Sequence, residues 1–129
     1  MEGRALNLEL VEGSYAVCRL EAAEPLPEWA PARPFVSITR TDAELSVVCP
    51  EGAVPPGVRA ERGWRCLRVV GPLGFGMTGV LASLAGPLSS SGVSIFVVST
   101  YDTDYLMVQE RDLERALDAL ARAGHAVSR

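Results

Sequence analysis

Residues 99–105 read Ser-Thr-Tyr-Asp-Thr-Asp-Tyr and place two carboxylates, Asp102 and Asp104, two positions apart among turn-forming residues. A carboxylate pair can move protons or hold a cation. No histidine, lysine or cluster of metal ligands accompanies this one in the sequence, which favours holding a cationic group over acid–base catalysis. The bland alternative is two turn acids that face water. A second stretch, Gly74-Phe75-Gly76-Met77-Thr78-Gly79, satisfies the pattern G-x-G-x-x-G between a strand-like and a helix-like apolar run. Glycines at this spacing let a backbone approach a phosphate closely.

The dinucleotide reading of that loop fails on the order of the later strands. An acid does stand near the expected place, Asp102, and the strand before it should then lead through a helix to a parallel third strand. Here Val93–Ser99 turns within about five residues into Tyr105–Gln109, an antiparallel neighbour, and the sequence holds no second nucleotide-binding half. Gly74, Gly76 and Gly79 still permit positive φ and close approach. The helix they introduce presents unpaired N–H groups at its first turn, which can receive a carboxylate as readily as a phosphate. A site for anions beside Asp102 and Asp104, a site for cations, suits a zwitterion. An α-amino acid is the simplest ligand of that kind.

The elements that position these residues differ between the two halves. Leu6, Leu8 and Leu10 alternate with polar residues as a half-buried strand does, and Glu12-Gly13-Ser14 predicts a turn into a second strand, Tyr15–Leu20. Four prolines in residues 22–34 exclude a regular helix there. Phe35–Arg40 and Leu45–Cys49 predict a second hairpin, and 50–63 a connector. In the second half, Trp64–Val70 reads as a strand and Thr78–Ser91 as a helix, with Val80, Leu81, Leu84 and Leu88 on one face, Thr78 as its cap and Gly92 as its end. Pro87 predicts a kink or a shortened last turn. Val93–Ser99, apolar on both faces, predicts a central strand. Residues 110–123 predict a helix burying Leu113, Ala116, Leu117 and Leu120, with Gly124 ending it and His125–Ser128 as an edge strand in which His125 is solvated. The order β-α-β-β-α-β is that of a ferredoxin-like α+β unit.

The whole chain narrows the classes further. Its length suits one domain or two small ones that share a core, and 48% hydrophobic with 22% charged residues is a globular composition. No run approaches the roughly 20 apolar residues of a membrane span, and the N-terminus does not read as a secretory signal, so the expected location is the cytoplasm. Cys18, Cys49 and Cys66 form no C-x-x-C pair, and with a single histidine, His125, no metal site is expected. They are expected to be buried free thiols. A net charge of −4 with scattered arginines excludes a nucleic-acid surface.

Residues 71–108, from Gly71-Pro72-Leu73 through Thr78-Gly79 and Ala85-Gly86-Pro87-Leu88 to the Gly92–Phe96 strand and the Ser99-Thr100-Tyr101 … Asp104 turn, resemble the ACT domains of the CASTOR arginine sensors and their bacterial relatives. Tyr15–Leu20 and Phe35–Glu51 resemble the degenerate ACT-like lobe that precedes such a domain. The resemblance implies a degenerate, strand-rich lobe over 1–62 and an ACT domain over 63–129, with a ligand lying between neighbouring ACT lobes. Its site would use Gly74, Gly76, Met77, Gly79 and Leu81, with Thr100, Tyr101 and Asp104 opposite and Asp104 meeting a cationic group. The chain departs from the arginine sensors at Met77, where they carry an acid, so the resemblance implies an amino acid without naming arginine. The expectation is a non-catalytic regulatory module without cofactor, sensing an amino acid or related metabolite in a homodimer. The alternative is an interaction module whose lobes dimerise without ligand.

Overall fold

The alternation of Leu6, Leu8 and Leu10 opens a strand longer than its spacing predicts. In the computed structural model, which describes residues 5–71 and 78–129, strand β1 runs unbroken over Asn7–Leu20. The expected turn at Glu12-Gly13-Ser14 does not form. Gly13 takes φ of +94°, a conformation glycine adopts at little cost, and the chain passes through it without reversing. The chain divides into two compact units, Met1–Val11 with Arg65–Arg129 and Glu12–Trp64. The N-terminal residues through Val11 therefore belong with the second half.

The larger unit follows the expected β-α-β-β-α-β order: β4 (Ala60–Val69, in this unit from Arg65), α1 (Val80–Ser90), β5 (Ile95–Ser99), β6 (Asp104–Gln109), α2 (Leu113–Arg122) and β7 (Ala126–Ser128). Its strands lie in the order β7-β1-β4-β6-β5. Strand β7 pairs in parallel with β1, Ala126 opposite Asn7, so the N-terminal strand stands between β7 and β4. Strands β5 and β6 are antiparallel, Ser99 opposite Asp104. Strand β5 lies at the end of the order and not at its centre. Ile95 and Val97 pack on the core, while Phe96 and Val98 are also half-buried. Apolar residues on both faces do not by themselves distinguish an edge strand from a central one.

Leu6, Leu8, Leu67, Val69, Leu106 and Val108 meet Val80, Leu84 and Leu88 of α1 and Leu113, Ala116 and Leu120 of α2 in one core. The four-residue spacing on α1 gives it a single apolar face, and Leu84 and Leu88 are completely buried, each stabilising by about 1.5–3 kcal/mol. Both helices end as expected at a left-handed glycine. Gly92 (φ +75°) donates to Ser89 O and Val93 to Leu88 O; Gly124 (φ +97°) donates to Ala121 O and His125 to Leu120 O. These paired bonds satisfy carbonyls that a helix end otherwise leaves open.

Helix α1 continues through Pro87 to Ser90, so of the kink or shortened last turn expected there the shortening does not occur. Proline has no N–H for the carbonyl four residues back, that of Ser83. The imidazole of His125 supplies the missing donor. Its Nε2 lies 2.9 Å from Ser83 O, and its Nδ1 accepts the N–H of Leu6 at 3.1 Å. An oxygen that only accepts and an N–H that only donates together require a neutral ring with its proton on Nε2. His125 is thus buried, 5% exposed, and not a solvated terminal residue.

In the smaller unit, Tyr15–Leu20 of β1 pairs antiparallel with β3 (Leu45–Pro50), which pairs with β2 (Ser37–Arg40). The second hairpin forms as expected. Thr41 closes it: its N–H donates to Glu44 O, and its Oγ1 accepts from the N–H groups of Ala43 and Glu44. Ala16, Cys18, Leu45, Val47, Cys49 and Val54 form the core. Beyond β4 this unit has a single 3₁₀ turn, Glu51–Ala53, in keeping with the four prolines upstream.

Candidate ligand-binding site

The chain between β5 and β6 closes on itself. Thr100 N–H donates to Thr103 O at 2.8 Å, Thr100 Oγ1 donates to the same oxygen at 3.1 Å, and Thr103 N–H returns to Thr100 Oγ1 at 3.3 Å. Ser99 Oγ donates to Asp104 Oδ1 at 2.6 Å and so fixes that carboxylate. Asp104 is half-buried, whereas Tyr101 is 82% exposed and Asp102 faces solvent. One further bond places the turn. The buried Thr103 donates from Oγ1 to Val69 O at 2.6 Å, which holds residues 99–104 against the end of β4, where the chain enters the glycine-rich loop. A depression of about 200 Å³ at this place is lined by Arg68, Gly71, Asp102 and Thr103.

Arg68 is a residue that the motif-based reading passed over. It alternates with the buried Leu67 and Val69, and its Nε donates to Glu9 Oε1 at 2.8 Å. That hydrogen bond foremost raises its already high pKa. The available signal was the arginine directly before Val69, the core residue that precedes the loop.

Gly79 caps α1 with φ of +77° and no side-chain cap bond, so Thr78 does not take the expected capping role. The first turn of α1 carries no acidic residue, which leaves its N–H groups suited to an anion. Leu81, on the same turn, is 42% exposed. Thr100, Tyr101 and Asp104 are therefore brought together on one turn, and Gly79 and Leu81 on another. Gly74, Gly76 and Met77 lie outside the described residues.

The remaining chemistry is limited. Cys18, Cys49 and Cys66 are buried free thiols; burial pushes Cys49 up to about 11 and Cys66 to about 12, and raises Cys18 as well. Thiols so protonated are weak nucleophiles at neutral pH. Among the described residues no three His, Cys, Asp or Glu gather to hold a metal, and no helix is long and apolar enough to cross a membrane. A fixed carboxylate and a helix N-terminus can bind opposite charges.

Residues 59–122 match the family model of the ACT domain, and residues 13–57 match a second model described as an N-terminal domain. The cytosolic arginine sensor for mTORC1 subunit 1 of Mus musculus is 34% identical over 89 residues, covering 68% of this chain and 26% of the sensor. The chain thus spans about a quarter of that relative's length. A crystal structure of an Agrobacterium tumefaciens protein is 47% identical, covers 97% of this chain and 93% of its own, and superposes with a TM-score of 0.92. The regulatory subunit of aspartate kinase from Thermus flavus is similar in fold, with a TM-score of 0.63 at 15% identity, covering 93% of this chain and 99% of the subunit.

Proposed function

This chain belongs to the ACT-domain proteins, and we propose that it is a non-catalytic regulatory module that binds an amino acid or related small metabolite where two copies of the chain meet. The observation that carries this reading is the 99–104 turn. Its backbone is closed by Thr100 and Thr103, its carboxylate Asp104 is held by Ser99, and Thr103 ties it to the end of β4. Asp104 takes a positive group on the side chain of the ligand, with Thr100 and Tyr101 beside it. The loop of Gly74, Gly76 and Met77, with Gly79 and Leu81 at the start of α1, contributes the facing side of the site. The similarity to sensors named for cytosolic arginine supports an amino-acid ligand and a cytoplasmic setting.

A second reading, an interaction module that dimerises without ligand, is favoured by the position of β5 at the end of the strand order and by the exposure of Tyr101, Leu81 and Val70. A thermal-shift screen of the proteinogenic amino acids separates the two. A ligand at 100 times its Kd stabilises by about 2.7 kcal/mol, so at least one amino acid must raise the Tm clearly. A flat screen with a dimer by sedimentation leaves the interaction module standing. A monomer at micromolar concentration removes the shared site.

A further inference from the structure

Opposite charges, Arg68 and Asp102, line the depression at the end of β4, and each keeps polar atoms that no described residue bonds. Arg68 commits its Nε to Glu9, and among the described residues its two Nη groups have no hydrogen-bond partner. Asp102 is exposed, and among the described residues nothing is bonded to its carboxylate. Thr103 spends its hydroxyl proton on Val69 and keeps lone pairs to accept with. We propose that Arg68 binds the carboxylate and Asp102 the ammonium group of a free α-amino acid, so that this depression distinguishes the acid from its ester and from its N-acylated form. This assignment rests on the amino-acid reading of the site and names the groups that would enforce it.

Three physical points support it. A guanidinium recognises a carboxylate through parallel N–H bonds, and no described residue bonds the Nη pair of Arg68 that would make them. A volume of about 200 Å³ is below that of pockets enclosing whole drug-sized ligands and fits the charged head of an amino acid, leaving the side chain outside. Glu9 holds the guanidinium by its Nε edge, which aims it while placing a competing negative charge beside the incoming carboxylate.

The test uses the proteinogenic amino acid that stabilises the protein most, with its methyl ester and its N-acetyl derivative, titrated by calorimetry. The unmodified protein should prefer the free acid to each derivative by at least tenfold. Arg68→Gln should lose at least tenfold for the acid and bind acid and ester alike. Asp102→Asn should lose its preference over the N-acetyl form. Glu9→Gln breaks the same ion pair but keeps the guanidinium, so it should retain the preference for the acid and bind it at least as well. Equal binding of acid and ester by the unmodified protein overturns the assignment. So does an Arg68→Gln protein that keeps the preference, or a Glu9→Gln protein weakened as much as Arg68→Gln. If no amino acid binds, the amino-acid reading itself fails; if one binds and only these discriminations are missing, the failure is confined to Arg68 and Asp102.

Discussion

Replacing His125 by alanine removes the partner of two backbone groups at once, the part-buried Ser83 O and the buried N–H of Leu6. A buried donor or acceptor left unpaired costs about 1–3 kcal/mol, so His125→Ala should lose at least that at Leu6 and, with the part-buried Ser83 O, up to about 6 kcal/mol. That is a large part of the 5–15 kcal/mol of a typical domain. The two losses can be separated. Pro87→Ala restores an N–H four residues after Ser83, so in the His125→Ala background it should return about 1–3 kcal/mol, the share belonging to that carbonyl. In the parent, where His125 already serves Ser83 O, the same substitution removes an unfavourable helix proline but gains no unpaired acceptor. Urea unfolding of the four proteins, followed by circular dichroism, gives the coupling as a double-mutant cycle. A coupling of about 1 kcal/mol or more in favour of the double variant is expected. If His125→Ala is within 0.5 kcal/mol of the parent, or if Pro87→Ala helps both backgrounds equally, the imidazole does not substitute for the missing amide.

Thr103→Val keeps the shape but leaves Val69 O without its 2.6 Å donor; it should cost about 1–3 kcal/mol by urea unfolding and weaken amino-acid binding by loosening the turn. Gly79→Ala meets no atom within 4 Å but must hold φ of +77°, so its cost should be backbone strain alone, about 1–2 kcal/mol, read as a drop in Tm. The buried thiols make stability fall in alkali. Below about 9 both folded and unfolded thiols are protonated; above it the unfolded chain loses its protons first, while Cys49 and Cys66 keep theirs to about 11 and 12. The fall should steepen to about 1.4 kcal/mol per pH unit for each such thiol, and Cys66→Ala should flatten the dependence measured by urea unfolding from pH 8 to 10.

Local pattern was legible and long-range pairing was not. Val80, Leu84 and Leu88 announce the buried face of α1, although Leu81, expected on the same face, is exposed, and Gly92 and Gly124 announce the helix ends, because a few neighbouring residues decide each feature. Glu12-Gly13-Ser14 misleads because a glycine with positive φ serves a turn and an irregular strand equally, and only the partners of β1 decide between them. Those partners, β7, β4 and β3, are set by contacts far along the chain. His125 finds Ser83 and Leu6 at sequence separations of 42 and 119, so nothing near it foretells that it completes α1. The candidate site divides in the same way. The Ser99–Asp104 turn shows in its residue types, whereas Arg68 joins it through strand pairing alone.

Calorimetry of the parent and Asp104→Asn with the amino acid that raises the Tm most tests the central claim most directly. A charge-assisted hydrogen bond to Asp104 is worth about 1.5–3 kcal/mol, and Asn keeps the shape while removing the charge. The parent should bind, and Asp104→Asn should bind roughly tenfold or more weakly while keeping its circular dichroism spectrum. Equal affinity in a folded Asp104→Asn protein would make Asp104 a turn residue only and contradict the site.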